Sequence, residues 1–178
     1  AGGVNPQACR RALAEVIRKH GIKGLKVAIV EGDDILADLP GLIAGGEVFK
    51  NMDSGEPLAP LLPKVKSANV YIGAEPIVEA LRLGADIVVT GRATDPSVVV
   101  APMMYEFDWD PKNYDLLAAA TIAGHIVGCG AQCTGGNYTH WRKVPDMARV
   151  GYPIVEAYPD GSFVVTKHDG TGGLVTVE

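Results

Sequence analysis

The sequence predicts an α/β fold, built mainly on a parallel sheet of βα units and closed by a C-terminal β-hairpin. Three observations predict it. Short apolar runs at residues 25–30 and 86–90 read as strands of a parallel sheet covered on both faces. Glycine- and aspartate-rich loops follow these runs, and proline then opens a helix. Near the end, two β-rich runs flank Asp160-Gly161, a hairpin turn signal. An open Rossmann-like sheet and a barrel fit this pattern equally well.

Each element follows from local chemistry. Asn5-Pro6 is an N-cap followed by proline at the first helical position. Cys9, Ala12, Leu13, Val16 and Ile17 then share one helical face, and Gly21 is placed to stop the helix. Residues 25–30 form the first strand, with Glu31-Gly32-Asp33-Asp34 after it. Residues 40–67, rich in proline and glycine, read as a long irregular connection, either a lid or binding loop or a disordered segment. Residues 68–72 read as another strand. Gly73-Ala74-Glu75-Pro76 starts a helix with Ile77, Ala80, Leu81 and Leu83 inward, stopped by Gly84. The strand at 86–90 leads through Arg92 and Asp95 to a helix opened by Pro96. An alanine-rich helix is predicted over about residues 114–127. Two parts are expected: an α/β core over residues 1–150, and a hairpin with a glycine-rich loop over 151–178. Residues 1–6 read as a loop leaving a strand that is not present, and residues 173–178 stop inside what reads as a strand or its exit, so a piece of a longer polypeptide is expected.

Composition excludes some function classes. Net charge is −5, against a general nucleic-acid binder. No apolar run is long enough to span a membrane. The three cysteines have no framework spacing, which suits a cytoplasmic setting. The loops match no nucleotide fingerprint.

In parallel α/β folds, ligands bind where strand carboxyl ends gather. Asn5, Asp33, Asp34, Gly73, Gly91, Arg92 and Asp95 all fall in loops at such ends. Helix starts at Pro6, Pro76 and Pro96 would attract anions. Arg92 can grip a carboxylate or phosphate with its planar fork. Gly2, Gly3, Gly73 and Gly91 would let a ligand approach the backbone. The site so predicted takes a small acidic molecule, with Asp33, Asp34 and Asp95 available for proton transfer or metal binding. Structural readings compete: Asp95 as an N-cap, Asp33-Asp34 as turn caps, Arg92 as an ion-pair partner of Asp95.

A second cluster holds His125, Cys129, Cys133, Gly135 and Gly136. His125, Cys129 and Cys133 are four residues apart, but the surrounding glycines interrupt a helix, and a structural zinc asks for four ligands. A buried cysteine is the plain reading of Cys129, and a thiol activated by His125 or His140 the catalytic one. The metal stays unassigned. A third loop, residues 168–173, suits either an anion nest or a plain surface turn.

The order AGGVNP, VEGDD, YIGAEPIVEALRLGADIVVTGRATDPS, AGHIVGCGAQCTGG and TKHDGTGG resembles the acyclic terpene utilisation (AtuA) family. The likeness covers nearly the whole chain and is most specific over residues 71–95. It implies a part in bacterial breakdown of branched terpenoids through acyl-CoA intermediates. The substrate implied is a carboxylated or CoA-linked branched chain, acted on by lyase, hydratase or hydrolase chemistry without a redox cofactor. A non-catalytic metabolite-binding or scaffold subunit is the alternative. A homo-oligomer or multi-subunit assembly is expected. The resemblance carries motif positions, not catalytic roles. Cys133 stands where the family motif is expected to have alanine, and residues 137–141 also depart from the expected form.

Overall fold

The computed structural model describes residues 5–177. The chain divides into two compact units, residues 1–72 with 84–93 and residues 73–83 with 94–178.

In the first unit, α1 (Pro6–Lys19) begins as the sequence predicts. The Asn5 Oδ1 accepts the Ala8 amide at 2.8 Å, and Gly21 follows the helix with φ +64. Its half-buried stripe is Cys9, Leu13 and Ile17. Val16 is 51% exposed, so the apolar face is narrower than the sequence suggested. Strand β1 (Val27–Val30) pairs in parallel with β2 (Ile87–Thr90), Val27 opposite Ile87 and Val30 opposite Thr90. Helix α1 packs on both. Only Val30, Val89 and Thr90 of these strands are buried. The apolar runs are therefore half-covered strands, not strands covered on both faces. An aspartate ties the start of the pair: Asp86 Oδ2 accepts the Lys26 amide at 2.7 Å.

Two expectations in this unit change. Residues 68–72 make isolated bridges, Asn69 with Asp34 and Ile72 with Ala93, not a continuous strand. The expected irregular loop contains structure. It holds α2 (Leu39–Ala44) and a 3-10 helix (Ala59–Lys64), each with proline in its first turn. Between them Asn51 closes a turn by accepting the Asp53 and Ser54 amides, both at 2.9 Å.

In the second unit, α3 (Glu75–Arg82) buries Ile77, Val78 and Ala80. Leu83 lies past its last turn and is 71% exposed, contrary to the inward position expected. Helix α4 (Ser97–Glu106) is not capped by Asp95. Pro96 holds the N-cap position, the Ser97 amide donates to the Thr94 carbonyl at 2.8 Å, and the Thr94 and Ser97 hydroxyls bond each other. Helix α5 (Tyr114–Gly128) is capped by Asn113. Small residues let α4 and α5 approach closely: Ala101, Ala120 and Ala123 are fully buried, and a Cβ on Gly124 would lie 2.7 Å from Pro96 Cβ.

The hairpin is where the sequence placed it. Strands β3 (Pro153–Ala157) and β4 (Phe163–Lys167) pair antiparallel. Asp160 accepts the Ser162 amide and hydroxyl, and Gly161 takes φ +85. Trp109, 5% exposed, donates its indole N–H to the Pro159 carbonyl at 2.9 Å and anchors the turn. Among the described residues, parallel pairing is confined to β1 and β2 and the Ile72–Ala93 bridge. The fold is thus a mixed helix and strand structure with a short parallel pair and a hairpin, and it defines neither a Rossmann-like sheet nor a barrel. Among the described residues, no helix is long and apolar enough to cross a membrane.

Candidate functional site

The parallel register brings the residues after β1 and β2 to one end of the pair. The Gly91 amide donates to the Val30 carbonyl at 2.9 Å, continuing the ladder. Segment 69–72 joins them. The Val70 amide donates to the Asp33 carbonyl at 2.8 Å, and the Ile72 amide to the Arg92 carbonyl at 2.9 Å. Three loop segments, distant in sequence, are thereby held together.

At their centre is Asp33, only 4% exposed. Its Oδ2 accepts the Arg92 amide at 2.7 Å and the Asn69 side-chain N–H at 2.9 Å. Burial acts to raise its pKa, but the Arg92 and Asn69 hydrogen bonds outweigh burial and hold the carboxyl below the usual aspartate value. Asp33 is therefore an anion fixed to backbone, a clamp in character, and a poor proton donor. Gly91 makes the clamp possible, since a Cβ there would lie 1.8 Å from Asp33 Oδ1. The space in front of Gly91 is filled by the chain's own carboxylate.

The clamp fixes the backbone of Arg92 and leaves its side chain at the surface. The guanidinium lies over the Tyr71 ring, 5.0 Å from its centre, and Nη2 donates to the Tyr71 hydroxyl at 3.3 Å. A surface cation–π contact of this kind contributes about 0.5–1 kcal/mol. Asp34, exposed, accepts the Leu36 amide at 3.0 Å in a local turn. Asn69 and Tyr71 were not singled out from sequence. Their spacing of two, which puts both side chains on one side of an extended segment, is the signal that would have found them.

The other predicted residues are placed as follows. Asn5 spends its side chain on the α1 cap. Gly2 and Gly3 lie outside the described residues. Asp95 belongs to the second unit and is exposed. Gly73 also lies there, and a Cβ on it would come 2.8 Å from Glu75 Oε2. His125, on α5, shares a hydrogen with the Thr121 carbonyl at 2.9 Å through Nδ1. A carbonyl only accepts, so Nδ1 carries the hydrogen and Nε2 is the basic atom. Cys129 caps α5 and is exposed. Burial, and then the neighbouring Cys129, raise the Cys133 thiol pKa. No group of three His, Cys, Asp or Glu side chains among the described residues forms a metal-binding cluster. Gly135 lines a cavity of about 470 Å³, while a Cβ on Gly136 would press within 2.9 Å of the Ala131 carbonyl. In the third loop, Thr171 donates to the His168 carbonyl at 2.7 Å, and the Lys167 ammonium donates to the Thr171 carbonyl at 2.9 Å. It is a closed turn held by its own groups.

The family model for acyclic terpene utilisation family protein AtuA matches residues 1–178. The chain belongs to this family, and membership points to acyclic terpene utilisation. No curated protein and no solved structure matches the chain significantly.

Proposed function

We propose that this chain carries the anion-gripping part of a catabolic enzyme for a carboxylated or CoA-linked branched-chain substrate. The observation that carries the reading is Arg92. Its backbone is locked by a buried carboxylate while its guanidinium is presented at the end of the parallel pair, backed by Tyr71. A planar fork on a rigid base suits a carboxylate or phosphate. Asp34, in the same unit, would serve for proton transfer in lyase, hydratase or hydrolase chemistry. Asp33 would position Arg92 instead of exchanging protons.

The test is thermal stability of the protein against branched-chain carboxylates and acyl-CoA thioesters. A true ligand at about a hundredfold excess over its Kd adds about 2.7 kcal/mol. Arg92→Lys should weaken that ligand about tenfold, the loss expected when a bidentate contact becomes a point charge. Unchanged affinity would remove Arg92 from the site. A second reading, a non-catalytic metabolite-binding subunit, is favoured by the engagement of Asp33 and Asp34 in backbone hydrogen bonds. Ligand binding without turnover would support it.

A further inference from the structure

We propose that the groove between α1 and the start of β1 docks an acidic amphipathic helix of a partner protein. Residues 5–27 carry six cations and one carboxylate, a net charge of +5 in a chain whose total is −5. The remaining residues therefore carry −10, and α1 with the turn after it is where an acidic partner meets attraction.

The groove, of about 460 Å³, runs along one stripe of α1: Arg10, Ala14, Ile17 and Arg18. Its other side is the chain's return into β1. The Gly21 amide donates to the Arg18 carbonyl and the Ile22 amide to the Ile17 carbonyl, both at 3.1 Å, the paired bonds of a Schellman stop. This reversal brings Ile22 back beside Ile17 and leads into Lys23, Leu25 and Val27, which complete the lining. Ile22 and Leu25 stay 48% and 39% exposed, so the apolar floor is open. Arg10, Arg18 and Lys23 are exposed around it, and among the described residues no hydrogen bond or ion pair engages their side chains.

Two features choose the occupant. Arg10 and Arg18 stand about 12 Å apart along the helix axis, two turns of α1. A compact anion would satisfy one end and leave Ile22 and Leu25 bare. A helix with acidic residues two turns apart reaches both ends and lays the apolar residues between them on the floor. Among the described residues, no helix of this chain carries two carboxylates at that spacing, so a second copy does not supply it. Arg92 follows the opposite end of the β1–β2 pair, so failure here leaves the anion-gripping reading in place.

The test uses three fluorescein-labelled synthetic helices. One carries glutamates two turns apart with leucines between them on the same face. A second has lysine for glutamate, and a third has serine for leucine. Fluorescence anisotropy should show the glutamate–leucine helix binding about tenfold tighter than either control. Arg10→Glu combined with Arg18→Glu should reverse the preference, so that the lysine helix binds best. If that double variant does not fold, Lys23→Glu should weaken the glutamate–leucine helix about fivefold. No binding of that helix below about 1 mM, equal binding by the serine helix, or a preference that survives charge reversal would overturn the proposal. Displacement by sodium pyrophosphate at constant ionic strength would overturn it too, and would give the groove to a compact anion.

Discussion

Glycine-rich loops do different work in the two units. At the end of the β1–β2 pair, Gly91 makes room for a charge, the Asp33 carboxylate, and the result is a filled, polar junction. In the second unit, Gly172 and Gly173 make room for backbone, and the result is a cavity beside them that Leu174 and Val175 help to line. In both cases the group that first occupies the glycine's space comes from the same chain. The side chains beside them differ accordingly, a guanidinium lying over the Tyr71 ring in one unit and apolar Leu174 and Val175 in the other.

Substitutions can break this contrast, and the largest effect belongs to Gly91→Ala. The added methyl cannot coexist with Asp33 Oδ1, so the buried carboxylate must move and lose its donors. A loss of about 3 kcal/mol is expected in denaturant unfolding, the scale of a broken buried polar network. Gly173→Ala meets two carbonyl oxygens in the second unit and should cost about 2–3 kcal/mol by the same measurement. A much smaller cost would mean that the Leu174 wall is seated loosely.

Asp33→Asn sharpens the comparison by removing charge while keeping shape. It should cost about 1–2 kcal/mol at neutral pH, because a neutral amide oxygen accepts the Arg92 and Asn69 hydrogens more weakly than the carboxylate does. The pH dependence has a definite sign. Asp33 has its pKa lowered by folding, so its stabilisation is complete above the usual carboxylate range. That stabilisation is lost as pH falls through the lowered native value. Unfolding measured at descending pH should show a loss in the wild type that Asp33→Asn lacks in part. The smallest effect is expected at Asp34→Asn. Its exposed turn can be kept by asparagine, so stability should change by less than about 0.5 kcal/mol. Any loss of turnover there would then measure chemistry, not folding.

These contrasts also mark what was legible in the sequence. The α1 cap, the positions of β1 and β2, and the Asp160-Gly161 turn were readable because each depends on residues within a few positions of one another. Residues 68–72 misled, since a β-rich run does not state how many partners it will find. Here Asn69 gives its side chain to Asp33 and the segment pairs only at single points. Asp95 resembled a cap, but the Thr94–Ser97 contact and Pro96 took that role. Arg92 was legible as a candidate; its clamp was not, because Asp33 and Arg92 are 59 residues apart. The cavity was illegible for the same reason, since its walls come from α5 and the loop after it, β4 and the segment after the hairpin.

Trp109 gives this two-unit arrangement an optical consequence. The chain has two tryptophans, Trp109 and Trp141, both in the second unit. Trp109 is enclosed with its indole N–H engaged, whereas Trp141 is 54% exposed. Excitation selective for tryptophan therefore watches the second unit alone, and the loss of a blue-shifted component reports Trp109 leaving the hairpin turn. Circular dichroism watches the helices of both units. A transition seen by dichroism and silent in tryptophan emission belongs to the β1–β2 unit, so the damage done by Gly91→Ala and by Gly173→Ala can be told apart by colour.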